Sequence, residues 1–450
     1  MTQSNVRAAF ERHFNTHGTL YASAGRINLI GEHTDYNGGF VFPGAVDCGI
    51  TAMIRPNGTD RVRAYAVDLD SYAEFGLREE DKPSESWARY IFGVCREIQK
   101  RGGRIGGFDT ERAYRAMKAS TTYPLQDAVP YGLENEFIPD DKAANATSIA
   151  MEYAVGDWGV AQVAKKLGNT ADYEEYLKRG KYYTHYFDKS INFIRPKLEN
   201  GEWLTPYDPF ESIHGVGHFC EGNGWQYTFF VPQHPEGLIA LMGGDRPFTA
   251  KLDEFFTAEG DLGEEASMDI SGLIGQYAHG NEPSHHILYL YTMLGQPWKT
   301  ADKVREVLTT LYHAAPDGLS GNEDVGQMSA WYILSSLGMY EAEPAGGRYW
   351  FGSPLFDKAE IRVPGGAFSI TAENNSAENK YIQRVWLNGQ PYTKPWIGHA
   401  DLMKGGELRF EMGAEPKVWY CPDEPEAYAD QRPAPEQRLF KSEAVEGEIA

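Results

Sequence analysis

The sequence predicts a multidomain protein of the α+β class, and three observations support this prediction. A chain of 450 residues has room for two or three domains with large cores. Short apolar runs broken by turn residues fill its beginning, helical spacing of apolar residues dominates its middle, and alternation with a period of two follows. We therefore expect different architectures over 1–110, 111–345 and 346–421, with a tail over 422–450.

The first segment, 1–110, begins as a β-rich region. Between 21 and 77, short apolar runs such as 49–54 alternate with turn residues, which is typical of strands joined by tight connections. The next stretch, 86–95, has the apolar spacing of an amphipathic helix that ends near Gly102.

The middle segment, 111–345, is predicted to be mainly helical. Six stretches have apolar residues three and four positions apart, and Gly, Pro and Asp residues separate them. These stretches are 145–167, 172–189, 236–243, 248–257, 284–295 and 301–313. Paired helices with functional loops at one end predict an α/α toroid, or part of one.

The last segments are a β region and a polar tail. Period-two alternation over 359–363, 367–371, 382–387 and 407–412 predicts half-buried antiparallel strands. The stretch 422–450 holds eight acidic and three basic residues but few large apolar ones. We expect it to be disordered.

Composition narrows the range of partners. The formal net charge of −22, from 64 acidic and 42 basic residues, repels nucleic acid phosphates and anionic lipid, so neither is an expected partner. The same charge suits neutral sugars and a bound cation. Aromatic residues make up 13% of the chain, and Trp and Tyr faces fit sugar rings as well as protein cores.

The N-terminal sequence, the lengths of the apolar stretches and the cysteine spacing predict the cellular location. The N-terminus lacks an apolar leader, and no stretch approaches the roughly 18 apolar residues of a membrane span. The four cysteines, Cys48, Cys95, Cys220 and Cys421, contain no Cys-x-x-Cys pair. We expect neither a zinc knuckle nor a disulfide framework, and a cytoplasmic location.

Two acidic loops stand out as candidate catalytic elements. Glu221-Gly-Asn-Gly-Trp-Gln-Tyr and, a hundred residues later, the stretch 321–331 with Asp324 each run into an aromatic segment. Two carboxylates in different environments can divide the work of acid and base in cleaving a glycosidic bond. Spacing alone also fits a simpler interpretation, in which one residue is a helix N-cap and the other a solvated loop residue.

The N-terminal motif over 25–39, Gly-Arg-Ile-Asn-Leu-Ile-Gly-Glu-His-Thr-Asp-Tyr-Asn-Gly-Gly, resembles the signature of galactokinases, members of the GHMP kinase superfamily. The resemblance extends over about 6–110 and implies a kinase-like α/β fragment. It implies that Glu32, His33 and Asp35 bind sugar hydroxyls and that Arg26 lies beside the phosphoryl-transfer site. No Gly/Ser-rich phosphate loop and no hydroxyl-activating aspartate motif follow, so we expect no kinase activity, although galactose could still bind.

From about Tyr114 to Tyr420 the chain resembles the C-terminal part of family 92 glycoside hydrolases, which are calcium-dependent, inverting α-mannosidases. The matching blocks include 204–210, 221–227, 280–286 and 321–331. The resemblance implies part of an (α/α)6 toroid. The β-sandwich that begins these hydrolases is replaced here by about 110 kinase-like residues.

This second resemblance also implies roles for individual residues. Glu221 matches the general acid, and Asp324, flanked by Glu323, is our choice for the general base. The expected Ca²⁺ donors are Asn281, Glu282 and Asp324, although a helix-capping turn explains Asn281 nearly as well. The expected sugar-contacting residues are Trp225, Gln226 and His285. Helical spacing also allows Trp225 to be a core residue.

The adjacent His285 and His286 point about 100° apart on a helix and cannot form a helical zinc pair. The expected function is that of an exo-α-mannosidase acting on mannose-containing glycans. The alternatives are a galactokinase-like kinase and a non-catalytic carbohydrate-binding fusion.

Overall fold

The structure is a computed structural model. It describes residues 3–28, 43–55, 57, 59, 61–100, 103–104, 107–108, 110–122, 128–315, 317–343, 345–363 and 365–420. Two compact units divide the chain, Met1–Ala116 and Met117–Ala450. The predicted tail over 422–450 lies outside the described residues.

The mixed α+β class is confirmed. The helices are α1 Gln3–Phe14, α2 Ser86–Lys100, α3 Thr110–Ser120, α4 Ala128–Asn135, α5 Ala146–Lys166, α6 Thr170–Arg179, α7 Gly224–Phe229, α8 Pro235–Leu241, α9 Asp245–Phe255, α10 Leu290–Met293, α11 Pro297–Thr310, α12 Gln327–Ser336 and α13 His399–Leu402. Short 3₁₀ turns cover Glu79–Asp81, Tyr182–Tyr186, Glu282–Ser284 and Ile287–Tyr289.

The strands are β1 Thr19–Asn28, β2 Pro43–Ile54, β3 Val62–Ala66, β4 Ser71–Phe75, β5 Gly103–Arg104, β6 Gly107–Phe108, β7 Phe187–Asp188, β8 Phe193–Ile194, β9 Leu273–Ile274, β10 Tyr277–Ala278, β11 Met339–Tyr340, β12 Arg348–Phe351, β13 Lys358–Val363, β14 Gly366–Glu373, β15 Tyr381–Leu387, β16 Gln390–Pro391, β17 Trp396–Gly398 and β18 Gly406–Gly413.

The first unit contains antiparallel strand pairs and helices. Strand β1 pairs with β2, β3 with β4, and β5 with β6. A small core forms where Ala73 and Phe75 of β4 meet Ala88 and Phe92 of α2. The kinase-like arrangement of this unit stays a prediction.

The second unit begins with helices, and α5 shows why the sequence folds this way. Its buried residues Ala150, Ala154, Asp157 and Ala161 recur at intervals of four and three, which places them on one helix face. Arg179 of α6 donates to both carboxylate oxygens of Asp157, at 2.8 and 2.9 Å. This buried, bidentate ion pair joins the two helices. The closed toroid stays a prediction.

Two of the predicted helices are wrong in extent. The stretch 172–189 leaves the α-helical path after Arg179 and continues as a 3₁₀ turn and the short strand β7. The stretch 284–295 forms two 3₁₀ turns and only four α-helical residues, Leu290–Met293. Pro283 lacks a backbone N–H, which suits it to the first turn of a helical segment rather than to its interior.

The C-terminal strands form a five-stranded sheet in the order β13-β14-β18-β15-β16 and a three-stranded sheet in the order β11-β12-β17. Alternate residues of the central strands are buried, including Phe368 and Ile370 of β14 and Leu408 and Phe410 of β18. The period-two prediction of strands is therefore correct. The antiparallel prediction fails for one pair, because β14 and β18 run parallel. The long connection through β15–β17 and α13 permits this crossover.

Candidate functional site

The loop that carries Glu221 is fixed by the start of α7. The side-chain oxygen of Asn223 accepts hydrogen bonds from the backbone N–H groups of Trp225 and Gln226, at 3.0 and 3.3 Å. In return the Gln226 side chain accepts from the Asn223 N–H at 2.7 Å. This reciprocal capping box begins the helix one turn after the acidic residue. Glu221 is exposed and has a left-handed backbone, with φ at +50°.

Trp225 and Gln226 lie in the core rather than in an open pocket. Both are 2% exposed. The Trp225 ring meets Phe193 edge-on at 4.8 Å between centroids, and the Lys251 ammonium lies 3.9 Å from the Trp225 ring centroid. The Gln226 amide donates to the Gln276 carbonyl at 2.7 Å. Both side chains therefore lie in the core, which for Trp225 matches the core alternative, and their contact with a sugar stays a prediction.

The loop that carries the predicted Ca²⁺ donors Asn281 and Glu282, called the metal loop below, contacts the Glu221 loop directly. The Asn281 side chain, 5% exposed, donates to the carbonyl oxygen of Glu221 at 2.9 Å. Its neighbour Glu282 begins a 3₁₀ turn and is half-buried. Burial, together with the negative charges of Asp324 and Glu221, raises the pKa of the Glu282 carboxyl. Residues from three loops thus share one electrostatic neighbourhood.

The Asp324 loop is packed against the metal loop. A Cβ on Gly321 would stand 2.6 Å from the Gly280 carbonyl oxygen, so the two backbones touch and position 321 requires glycine. Asp324 is exposed and, like Glu221, has a left-handed backbone, with φ at +45°. Among the residues that the structure describes, neither the Glu221 nor the Asp324 carboxylate forms a hydrogen bond or ion pair with another side chain. Both carboxylates are available to a ligand.

The Glu323 side chain caps a backbone donor in the first turn of α12, ahead of the N-cap residue Gly326. Its two carboxylate oxygens accept hydrogen bonds from Ser329, one from the backbone N–H at 3.0 Å and one from the hydroxyl at 2.9 Å. Ser329 is the third residue of α12, so Glu323 satisfies a backbone donor that the helix itself cannot. These contacts give Glu323 a structural role at the start of α12, and its catalytic role stays a prediction.

His285 also belongs to the interior, since it is 1% exposed. The Gln327 amide nitrogen lies 3.2 Å from its Nδ1, and because this amide nitrogen can only donate, Nε2 of His285 carries the proton. That Nε2 donates to the His279 carbonyl at 2.9 Å. Burial lowers the pKa of His285 to about 4, so the ring is neutral. His285 therefore connects the segment 279–285 to the first turn of α12, and its contact with a sugar stays a prediction.

Sequence reasoning missed one carboxylate in this neighbourhood. Glu152 lies on α5, one turn beyond Ser148, whose hydroxyl accepts the backbone N–H of Cys220 at 2.9 Å. Although Glu152 reaches solvent, the surrounding protein desolvates it, and the charges of Glu282 and Glu221 add to this effect. Together they raise its pKa to about 7. A single acidic residue on a helix gives no signal of this kind in a sequence.

The donor chemistry of this neighbourhood suits a hard cation. Glu282, Asp324 and the free side-chain oxygen of Asn281 are oxygen donors, the type that Ca²⁺ prefers. Within the described residues, however, no three His, Cys, Asp or Glu side chains form a group that could hold a metal ion. A calcium ion here would therefore need amide, carbonyl and substrate oxygens to complete its shell.

Most of the predicted galactose site falls beyond what the structure describes. Glu32, His33 and Asp35 lie outside the described residues. Arg26 lies on β1, where its backbone pairs with Ala45 of β2. Throughout the described residues, no helix is long and apolar enough to cross a membrane.

Comparison with known proteins confirms both resemblances. Residues 90–414 match the model of the glycosyl hydrolase family 92 catalytic domain, and residues 8–56 match the galactokinase galactose-binding signature. An uncharacterized secreted glycosidase of Arthroderma benhamiae is 28% identical over 298 residues, which are 60% of this chain and 36% of that protein. A galactokinase of Roseiflexus is 38% identical over 131 residues, which are 28% of this chain and 33% of that protein.

Solved structures agree. A family 92 α-mannosidase of Bacteroides thetaiotaomicron, in complex with mannoimidazole, superimposes with a TM-score of 0.68 at 37% identity, covering 76% of this chain and 45% of that one. An inverting family 92 mannosidase of the same species gives a TM-score of 0.61 at 32% identity, covering 73% and 46%. This chain spans less than half the length of each of these relatives.

Proposed function

Because the chain belongs to glycosyl hydrolase family 92, we propose that it is a calcium-dependent, inverting exo-α-mannosidase that removes terminal α-linked mannose from glycans. The main support is electrostatic. Glu221 and Asp324 are 103 positions apart in the sequence, yet both lie close enough to Glu282 to raise its pKa. Two carboxylates from distant loops that share one neighbourhood support a pair of groups acting on one sugar.

In this proposal each carboxylate has one proton to move. Glu221 protonates the glycosidic oxygen as the bond to the anomeric carbon breaks. Asp324 takes a proton from the water that attacks the same carbon from the opposite face, which inverts its configuration. An inverting pair of this kind leaves about 6.5–9.5 Å between its carboxyl groups for that water.

The proposed cation site lies between the two loops. Glu282, Asp324 and the Asn281 oxygen would hold Ca²⁺. The ion would coordinate neighbouring hydroxyls of the mannose and favour a distorted ring. The environment of Glu282 supports this assignment, because burial and then the charges of Asp324 and Glu221 raise the pKa of its carboxyl, and a divalent cation would offset the repulsion between these charges.

The test is hydrolysis of an α-mannoside by the full chain, followed by NMR of the first-formed anomer. We expect β-mannose, loss of activity with a calcium chelator, and a decrease in kcat of about 10²–10⁴-fold for Glu221→Gln and for Asp324→Asn. Glu360→Gln, at an exposed position of β13, is the matched control. Activity that persists in either site variant or after chelation, or α-mannose as the first product, would refute the proposal.

A second proposal concerns residues 8–56, and the signature match supports it. We propose that this segment binds galactose without phosphorylating it, since no phosphate loop follows in the sequence. Calorimetry with galactose and with mannose, using Asp35→Asn as the control variant, tests binding. Turnover of ATP in the presence of galactose would contradict the second half of the proposal.

A further inference from the structure

We propose that Tyr227 and Asn281 are positioning residues that aim the Glu221 carboxylate by holding the peptide groups on both sides of its Cα. The inference rests on the proposed role of Glu221 as general acid. Neither residue needs to touch the substrate for this purpose. It adds a positioning role to the predicted role of Asn281 as a cation ligand.

The direction of the Glu221 side chain depends on its backbone. Its carboxylate forms no hydrogen bond or ion pair with the other described residues, so no contact at its tip fixes it. Its φ of +50° is a left-handed conformation that residues with a Cβ rarely adopt. Such a conformation persists only where neighbouring groups hold it.

Tyr227 holds the peptide group before Glu221. Its hydroxyl donates to the Cys220 carbonyl oxygen at 2.9 Å. Its ring is 2% exposed and stacks on Phe219 at 5.2 Å between centroids. A Cβ on Gly222 would stand 2.7 Å from this ring, so the ring fills the inside of the turn. Burial raises the pKa of Tyr227 well above its ordinary value, and the hydroxyl therefore keeps the proton that it donates.

Asn281 holds the peptide group after Glu221. Its side-chain nitrogen lies 2.9 Å from the Glu221 carbonyl oxygen, across 60 positions of sequence. A carbonyl can only accept, so the amide must face it with its N–H, and its oxygen faces away. With one peptide plane held by Tyr227 and the next by Asn281, both φ and ψ of Glu221 are restrained. These two dihedrals determine where its Cβ points.

A positioning role predicts a specific kinetic pattern. Protonation by a general acid matters most when the leaving group is a poor one, such as methanol or another sugar. An activated phenol departs without a proton. Misplacing Glu221 therefore slows hydrolysis of methyl α-mannoside but not of 2,4-dinitrophenyl α-mannoside, whereas general damage to the fold slows both.

The experiment compares three variants of the full chain with the wild type. Tyr227→Phe removes only the hydroxyl, and Asn281→Asp removes the N–H donor but keeps an oxygen for a cation. The control is Tyr420→Phe, because Tyr420 is also buried and its hydroxyl also donates to a backbone carbonyl, that of Thr292 at 2.7 Å. Circular dichroism, melting temperature and calcium affinity are measured on each variant.

We expect Tyr227→Phe and Asn281→Asp each to lower kcat on methyl α-mannoside by about 10²-fold, with kcat on the dinitrophenyl substrate close to that of the wild type. Tyr420→Phe is expected to change neither. Equal losses on both substrates, or no loss beyond that of the control, would overturn the inference. Tyr227→Phe and Asn281→Asp act on different peptide groups of Glu221. If only one of these variants folds, its rates on the two substrates are enough to test the inference.

Glu221→Gln separates this inference from the proposed function. If that variant hydrolyses methyl α-mannoside as fast as the wild type, Glu221 is not the acid and the proposed function fails. If that variant is inactive on methyl α-mannoside while Tyr227→Phe and Asn281→Asp show no dependence on the leaving group, only the positioning inference fails.

Discussion

Replacing Glu323 distinguishes a helix cap from a catalytic carboxylate. Glu323→Ala removes both hydrogen bonds to Ser329, at 3.0 and 2.9 Å. Loss of a side-chain cap costs about 1 kcal/mol, and the exposed position of Glu323 allows no larger burial term. Glu323→Gln is the matched variant, because its amide oxygen can accept the Ser329 N–H and its amide nitrogen can donate to the hydroxyl, while its capacity to act as a base is gone.

Hydrogen exchange followed by mass spectrometry measures the cap locally, which matters because a chain of two units need not unfold in one step. We expect amides in the first turn of α12 to exchange about fivefold faster in Glu323→Ala, the equivalent of about 1 kcal/mol, and at nearly the wild-type rate in Glu323→Gln. We also expect Glu323→Gln to keep most of its kcat. A Gln variant with intact exchange but no activity would refute the capping assignment.

Two pH predictions follow from the shifted carboxyl and imidazole groups. The pKa of Glu152 is raised to about 7, so ionising this carboxyl costs the folded state stability as the pH rises from about 4.5 to 7. In the presence of a chelator, Glu152→Gln should therefore melt progressively higher than the wild type across that interval, and a constant difference would contradict the electrostatic account. The pKa of His218 is raised by its hydrogen bond to Asp140, at 2.9 Å. The stability that this pair supplies is complete below the ordinary His pKa of about 6.5 and is lost as the pH rises through the elevated value. His218→Gln should thus lower the melting temperature most at acidic pH, and a loss that grows with pH would sink this prediction.

The spacing of apolar residues predicted those elements of the fold that depend on interactions between residues close in sequence. Apolar spacing identified the helix over 145–167, which the structure shows as α5 Ala146–Lys166, and apolar alternation identified the strands that carry Phe368 and Phe410. Both depend on bonds or burial within a few residues of the pattern. The direction of β18 relative to β14 depends instead on a long connection, and alternation cannot distinguish a parallel from an antiparallel neighbour.

In the candidate site, too, local patterns predicted some features, and others depend on contacts between distant parts of the chain. Glu221 and Asp324 were identified because each stands in a recognisable block. The sequence left the burial of Trp225 and His285 open, because an aromatic or histidine residue beside an acidic loop fits a core and a pocket equally well. Glu152 was missed because its relation to Glu221 exists only through the contact of α5 with the Cys220 backbone.

The Asp324 loop has a strained backbone, and one substitution can measure that strain. Val325, next to Asp324, has φ at +58°, although a β-branched side chain is among the least tolerant of a left-handed backbone. Its side chain is fully exposed, so no packing compensates for the cost. Asn adopts this conformation more readily than Val. Val325→Asn should therefore stabilise α12 and its preceding loop by about 1 kcal/mol, seen as slower amide exchange. Val216→Asn, at another exposed valine whose φ is not left-handed, should not. Equal exchange rates in the two variants would mean that the loop relaxes without cost, and that Asp324 is not held under strain.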